Sequence, residues 1–156
     1  MSNHDVLKKT FSTFATGVAI AALNENNQKL GITINSFSSV SLDPALLSFC
    51  IGNNSSVLQQ FLDCQFFSIN ILSATQQNLA NAFTRSDDQE KWQLEKVNLS
   101  QNSTPIFANS LSYFECQKHQ IIKSGDHQII IGKITNCEVL NDQKPLTYFK
   151  GKYQNI

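Results

Sequence analysis

Arginine occurs once in this chain of 156 residues, at Arg85, and charged side chains of every kind make up only 15% of it. Twelve basic residues balance twelve acidic ones. Such a surface carries no electrostatic footprint for nucleic acid or for an anionic membrane. The six glycines form none of the Gly-rich fingerprints of a Rossmann or P-loop nucleotide site. The four cysteines, Cys50, Cys64, Cys116 and Cys137, stand too far apart for a zinc ribbon or a redox pair, so no metal is expected. No apolar run is long enough to cross a bilayer. The polar start Met1-Ser-Asn-His-Asp5 does not read as a signal peptide. These absences together point to the cytoplasm and to reduced thiols.

Hydrophobic residues are 41% of the chain and aromatics 10%, mostly phenylalanine. That suits one folded domain over residues 1–156 with a substantial core. Residues 4–14 read as a short helix with Leu7, Phe11 and Phe14 on one face. Residues 17–23 read as a buried strand. The cluster Asn24-Glu-Asn-Asn-Gln28 then turns into a second strand through residue 37. Residues 45–51 are apolar enough for a strand buried on both faces. Val57, Leu58, Phe61 and Leu62 form a helical stripe, and residues 65–72 form a further strand. Ser73 followed by Gln76 reads as a capping box opening a helix that runs to about residue 83. Residues 85–103 read as a long excursion with little regular structure. Residues 110–120 and 128–140 form a last strand pair with Gly132 at a bulge, and residues 146–149 add a short edge. Cys50 and Cys137 fall in apolar runs and are expected as core thiols. Short helices that do not alternate with the strands give a mainly β barrel rather than a parallel α/β sheet.

One stretch concentrates chemistry. In Gly31-Ile-Thr-Ile-Asn-Ser-Phe-Ser-Ser-Val-Ser-Leu-Asp-Pro44, Thr33, Asn35, Ser36, Ser38, Ser39 and Ser41 sit among apolar residues. Small hydroxyl and amide groups at the end of a buried strand suit an anionic or heteroaromatic ligand, because they donate without bulk. Taken alone, the same pattern also describes a polar strand end and turn.

This stretch is one of an ordered set: Phe14-Ala-Thr-Gly-Val18, Asn35-Ser-Phe-Ser-Ser39, Asp43-Pro44, Phe67-Ser-Ile-Asn-Ile-Leu72, Leu79-Ala-Asn-Ala-Phe83, Gly125-Asp-His127, Tyr148 and Tyr153. In that order the set resembles the flavin reductase-like family, whose members bind FMN or FAD in a split β-barrel. The chain departs from the family's frequent second proline after Asp43-Pro44, having Ala45 there. The resemblance implies an NAD(P)H-dependent flavin reductase, passing hydride from NADH or NADPH to flavin and supplying a separate flavin-dependent oxygenase. It implies a homodimer, with residues 85–103 as candidate interface and Trp92 as a lid or interface anchor. A flavin carrier or sensor without turnover is the alternative, and a pyridoxine phosphate oxidase relative is disfavoured by the scarcity of Arg and Lys.

The resemblance also implies the site. Thr33, Asn35, Ser36, Ser38 and Ser39 would line the flavin, with Cys50, Ile51, Asn53, Asn54, Ser55 and Ser56 facing its tail. Ser55 and Ser56 would also cap the helix that follows. Phe83 and Arg85 close a helix where phosphate contacts lie, Arg85 having the geometry for a bidentate clamp. Gly125 and Asp126 would shape a turn that aims His127, the candidate catalytic residue, at the flavin and nicotinamide. Tyr148, and with it Tyr153, would stand near the cofactor.

Overall fold

The computed structural model describes residues 2–84 and 89–155. Arg85 therefore lies outside the described residues. Seven antiparallel strands form the main sheet: β2 (Ala19–Glu25), β3 (Gln28–Ile34), β4 (Ser38–Leu42), β5 (Ala45–Gly52), β6 (Phe66–Ile71), β9 (Ser112–Ser124) and β10 (His127–Val139), in the order β3-β2-β6-β9-β10-β5-β4. The strand β1 (Thr16–Gly17) joins β11 (Leu146–Phe149) and β12 (Lys152–Asn155) in a small sheet, and β7 (Val97–Leu99) pairs with β8 (Pro105–Phe107). Among the described residues three α-helices punctuate the strands, α1 (Asn3–Phe11), α2 (Leu58–Asp63) and α3 (Gln77–Ala82), with 3-10 turns at Ala74–Gln76 and Gln89–Gln93.

Turn chemistry sets the hairpins. Asn26 and Asn27 take φ of 50° and 64° between the paired residues Glu25 and Gln28. Positive φ at both central positions is the type I′ geometry that matches strand twist, and asparagine tolerates it. At the β9–β10 turn only the first central residue, Gly125, has positive φ, 61°, between Ser124 and His127. That is the type II′ arrangement, where glycine avoids the Cβ clash.

Strand β2 is the middle of the molecule. Its Ala19, Ala21 and Leu23 face one core with Phe49, Phe61, Phe67, Ile69 and Ile130. Its Ile20 and Ala22, with Val18 just before the strand, face a second core with Leu79, Phe83, Trp92, Phe107 and Leu146. The rings of Phe49, Phe61 and Phe67 meet edge-on at 5.3 to 6.3 Å. Each such buried ring contributes about 1.5–3 kcal/mol. Ser68 and Asn70 of β6 hold the outer layer in place: both donate to the Pro105 carbonyl, at 2.5 and 3.2 Å, and Asn70 Oδ1 accepts from Phe107 N–H at 3.1 Å. The β9–β10 ladder shifts register twice, at Ile131/Gly132, where His119 of β9 is the extra residue, and at Ile134/Asn136, where Thr135 of β10 is. A Cβ on Gly132 would stand 2.6 Å from Phe67 and 2.8 Å from Cys116, so glycine is required by close approach.

Several expectations are corrected. Strand β5 alternates rather than burying both faces, with Leu47, Phe49 and Ile51 inward. Residues 38–42 form a strand in the serine-rich stretch, paired with β5. Helix α1 ends at Phe11 and buries none of its residues. Cys137 is exposed and Cys50 only half-buried, while Cys116 is the buried thiol. The two registers explain this: Cys116 faces the first core on β9, and Cys137 lies on the outer end of β10, beyond the sheet's covered part. Burial pushes the Cys116 thiol up to about 12 and the Cys64 thiol up to about 11. Trp92 is neither a lid nor an exposed anchor. It is a core residue, stacked on Phe107 and edge-on to Phe83. Residues 97–99 of the expected excursion are strand β7.

Candidate functional site

Strand β3 and the residues just after it run past three cavities that share lining residues. One, of about 200 Å³, is lined by Val18, Thr33, Ile34, Asn35, Thr84, Tyr148 and Tyr153. Thr84 also borders the second, of about 300 Å³, with Gly31, Asn54, Ser55, Ser56 and Phe83. Val18 and Asn35 also border the third, of about 720 Å³, which Phe14, Thr16, Gly17, Ser36, Ser38 and Phe114 help to line. The fold thus brings Thr33, Asn35, Ser36, Ser38, Asn54, Ser55, Ser56, Phe83 and Tyr148 to one groove.

These groups differ in how free they are. Thr33 Oγ1 donates to the Ala80 carbonyl at 2.7 Å, and Thr33 N–H to the Phe83 carbonyl at 3.1 Å, fixing β3 against α3. Ser36 Oγ accepts from Cys50 N–H at 2.9 Å, which ties the segment after β3 to β5. Ser38 Oγ donates to the Ser39 carbonyl at 3.1 Å. The Ser55 and Ser56 hydroxyls do not cap α2, whose N-cap Val57 has no side-chain hydrogen bond. They border the second cavity beside Asn54. Phe83 is buried in the second core and shows its edge to Gly31, where a Cβ would come within 3.0 Å of the ring.

Tyr148 and Tyr153 meet edge-on at 5.3 Å. Burial, then the neighbouring Tyr148, pushes the Tyr153 hydroxyl above its ordinary pKa. These tyrosines are positioned by the β11–β12 hairpin, in which Tyr148 pairs with both Thr16 and Tyr153.

His127 lines none of the three cavities and stands near Asn54, which borders the second. It pairs with Gly52, the last residue of β5. A Cβ on Gly52 would lie 3.7 Å from His127 Nε2 and 3.1 Å from Asn54 Oδ1, so the imidazole and the Asn54 amide flank one point. The ring is about half exposed, at 50%, and its Nδ1 meets Asp126 Oδ1 at 2.7 Å. The imidazole beside Asp126 holds that carboxyl below the usual carboxylate range. An Nδ1 engaged by a carboxylate leaves Nε2 as the free edge. Gly125 shapes the turn, and Asn53 is bonded to it. The Ile51 side chain is in the first core. Ser39 and Cys50 border none of the three cavities.

Two contributors were not among the expected site residues. Thr84 joins the first two cavities, and residues 14–17 line the third. The signals were present as the threonine between Phe83 and Arg85 and as the Phe-Ala-Thr-Gly run itself.

The flavin reductase like domain profile matches residues 11–156. The chain is 37% identical over 148 residues to a probable flavin reductase of Rhizobium meliloti (strain 1021), covering 94% of this chain and 47% of that one. Identity and coverage are the same for the reductase component of a flavin-dependent trigonelline monooxygenase from Acinetobacter baylyi (strain ATCC 33305 / BD413 / ADP1). The chain thus spans about half the length of these two relatives. The NADH:FAD oxidoreductase SgcE6 of Streptomyces globisporus C-1027, solved with NAD and FAD fragments, superposes with a TM-score of 0.93 at 25% identity, covering 99% of this chain and 93% of that one.

Proposed function

The chain belongs to the flavin reductase-like family, and from that premise we propose that it is an NAD(P)H:flavin oxidoreductase, passing a hydride from NADH or NADPH to FMN or FAD. The observation that carries this is the row of neutral donors along the groove, Asn54, Ser55 and Ser56 above all, whose side chains are not engaged in capping or cross-strand ties. Their chemistry fits a flavin: hydroxyl and amide groups serve a ribityl chain and phosphate, and the Tyr148–Tyr153 pair and Val18 offer an apolar wall to a ring. When bound, the isoalloxazine ring supplies the hydride chemistry itself. The protein has three tasks. Ser55 and Ser56 hold the tail, Thr33 and Ser36 keep the β3 end rigid, and His127 presents Nε2 as donor or acceptor to the reacting pair. Among the described residues no lysine or arginine lines the three cavities, which favours modest affinity and release of reduced flavin to a separate oxygenase.

We infer a homodimer on different grounds. Helix α1 leaves Val6, Leu7 and Phe11 in solvent, Phe14 follows them, and Leu42 on the edge strand β4 is 96% exposed. Apolar groups on this scale mark an interface, and a second copy is the occupant that closes the third cavity at Phe14. This surface, rather than the expected residues 85–103, of which 85–88 lie outside the described residues and Trp92 is in the chain's own core, is the proposed contact.

The test is NAD(P)H oxidation with added FMN, with FAD or with neither, alongside His127→Ala. Turnover requiring added flavin, with a loss of about 10²-fold or more in the variant, is expected. Flavin binding without oxidation would instead favour a carrier or sensor. Sedimentation of the parent and of Phe11→Asp should show a dimer and a monomer.

A further inference from the structure

Asn53 was expected at the flavin, yet its groups are engaged elsewhere. Its backbone N–H donates to the Asp126 carbonyl at 2.8 Å. Its side-chain Nδ2 donates to the Gly125 carbonyl at 3.2 Å. Its Oδ1 accepts from Gln128 Nε2 at 2.8 Å. All three partners belong to the turn that carries His127. The chain of bonds has one direction: a carbonyl only accepts, so Gly125 dictates that Asn53 turns Nδ2 toward it and Oδ1 toward Gln128. Without these bonds the β5–β10 ladder ends at Gly52 and His127, and the turn beyond it is held by its own hairpin, through the Ser124–His127 pair of β9 and β10, rather than by β5.

Gln128 supplies the second observation. It is 8% exposed, and its Oε1 is buried without a hydrogen-bond partner among the described residues. An orphaned acceptor weakens the fold, and an apolar side chain of the same shape would avoid it. The amide is explained by its other end, which orients Asn53.

We propose that Asn53 is a positioning residue: with Gln128 it locks the Gly125–His127 turn against the end of β5 and sets where the imidazole stands relative to Asn54, Ser55 and Ser56. The catalytic part of this rests on the reductase reading above. The two arms of the site, on β5 and on β10, then move as one unit.

The test uses Asn53→Ala, Asn53→Asp and Gln128→Met, the first also in the His127→Ala background. Amide exchange at residues 53 and 125–128 should speed at least about fivefold in Asn53→Ala, with the rest of the sheet unchanged. The rate constant kcat should fall about tenfold while the FMN dissociation constant, from fluorescence quenching, moves less than about twofold. Asn53→Asp, which keeps the acceptor for Gln128, should fall between the parent and Asn53→Ala. Gln128→Met should melt no lower than the parent yet lose turnover in the same sense, which a purely structural role does not produce. Adding Asn53→Ala to His127→Ala should cost nothing further. Additive losses, or FMN affinity falling in step with kcat, would overturn the proposal. Unchanged exchange at 125–128 would overturn it whatever the kinetics. A parent that neither binds flavin nor oxidises NAD(P)H defeats the reductase reading alone, and exchange still decides whether the lock exists.

Discussion

Two runs of small polar residues follow strands in this chain, and they have different fates. Residues 35–41 lie on the way from β3 into β4, and residues 53–56 lie between β5 and α2. In the first run the backbone of β5 takes up Ser36, whose hydroxyl satisfies Cys50 N–H, and Ser38 bonds its neighbour's carbonyl. In the second run Asn53 is engaged by the β9–β10 turn, while Asn54, Ser55 and Ser56 border the second cavity, as Asn35, Ser36 and Ser38 of the first run border the others, without a cross-strand side-chain tie like that of Ser36. The residue types are the same. The difference is which backbone groups nearby lack a partner of their own, because a buried N–H or carbonyl captures any hydroxyl in reach.

The sharpest way to break this contrast is at the second run. Replacing Ser55 and Ser56 together by alanine should weaken flavin binding by about 10- to 100-fold, two hydrogen bonds at about 1 kcal/mol or more each. The melting temperature should stay within about 1 °C, since neither hydroxyl supports α2. Titration of flavin fluorescence and a thermal melt read both quantities. An equal loss of stability would mean that this run is structural too.

Ser36→Ala should show the opposite pattern. It leaves Cys50 N–H without its partner and should remove about 1 kcal/mol, lowering the melting temperature by about 2–4 °C. Flavin affinity should change less than about twofold. If affinity falls as far as in the serine pair, the two runs form one binding surface and the contrast is lost.

The smallest effect extends the same reasoning to thiols on paired strands. At pH 8 a thiol reagent should label exposed Cys137 and spare buried Cys116 until the chain unfolds. The folded pKa of about 12 for Cys116 lies above the ordinary 9.0. Below about pH 9 both states hold the proton and stability is undiminished. As pH rises from 9 toward 12 the unfolded chain loses the proton first, so stability falls, and Cys116→Ala should flatten that decline in urea melts read against pH.

Much of the fold was legible in the chain. The apolar runs marked β2, β5, β6, β9 and β10. The Asn26-Asn27 pair marked a hairpin, and Ser73 with Gln76 forms the expected capping box. A bulge does border Gly132, but its extra residue, His119, is on β9 rather than on the strand that carries Gly132. What was not legible is instructive. Strand β4 hides in a serine-rich segment because its pairing partner β5, not its own propensity, makes it a strand. Trp92 lies in a polar stretch, and only Phe83 and Phe107 arriving from elsewhere give it a core. Helix α1 has an apolar stripe that reads as core-facing, yet its own chain offers it nothing to cover.

For the site, the chain itself supplied the chemistry: neutral donors in place of cations, a glycine before Asp126 and His127, and two C-terminal tyrosines. The neutral donors follow from residue identity, which sets what a side chain can donate, whereas the Gly125–His127 turn and the two tyrosines were marked by the resemblance to the family. Which donors stay free was decided by tertiary structure alone. Thr33, Ser36 and Asn53 are claimed by Ala80, Cys50 and the 125–128 turn, all at least 14 residues distant in sequence. Hydrogen-bonding capacity is a property of the residue, but its availability depends on the neighbours that folding brings within about 3 Å.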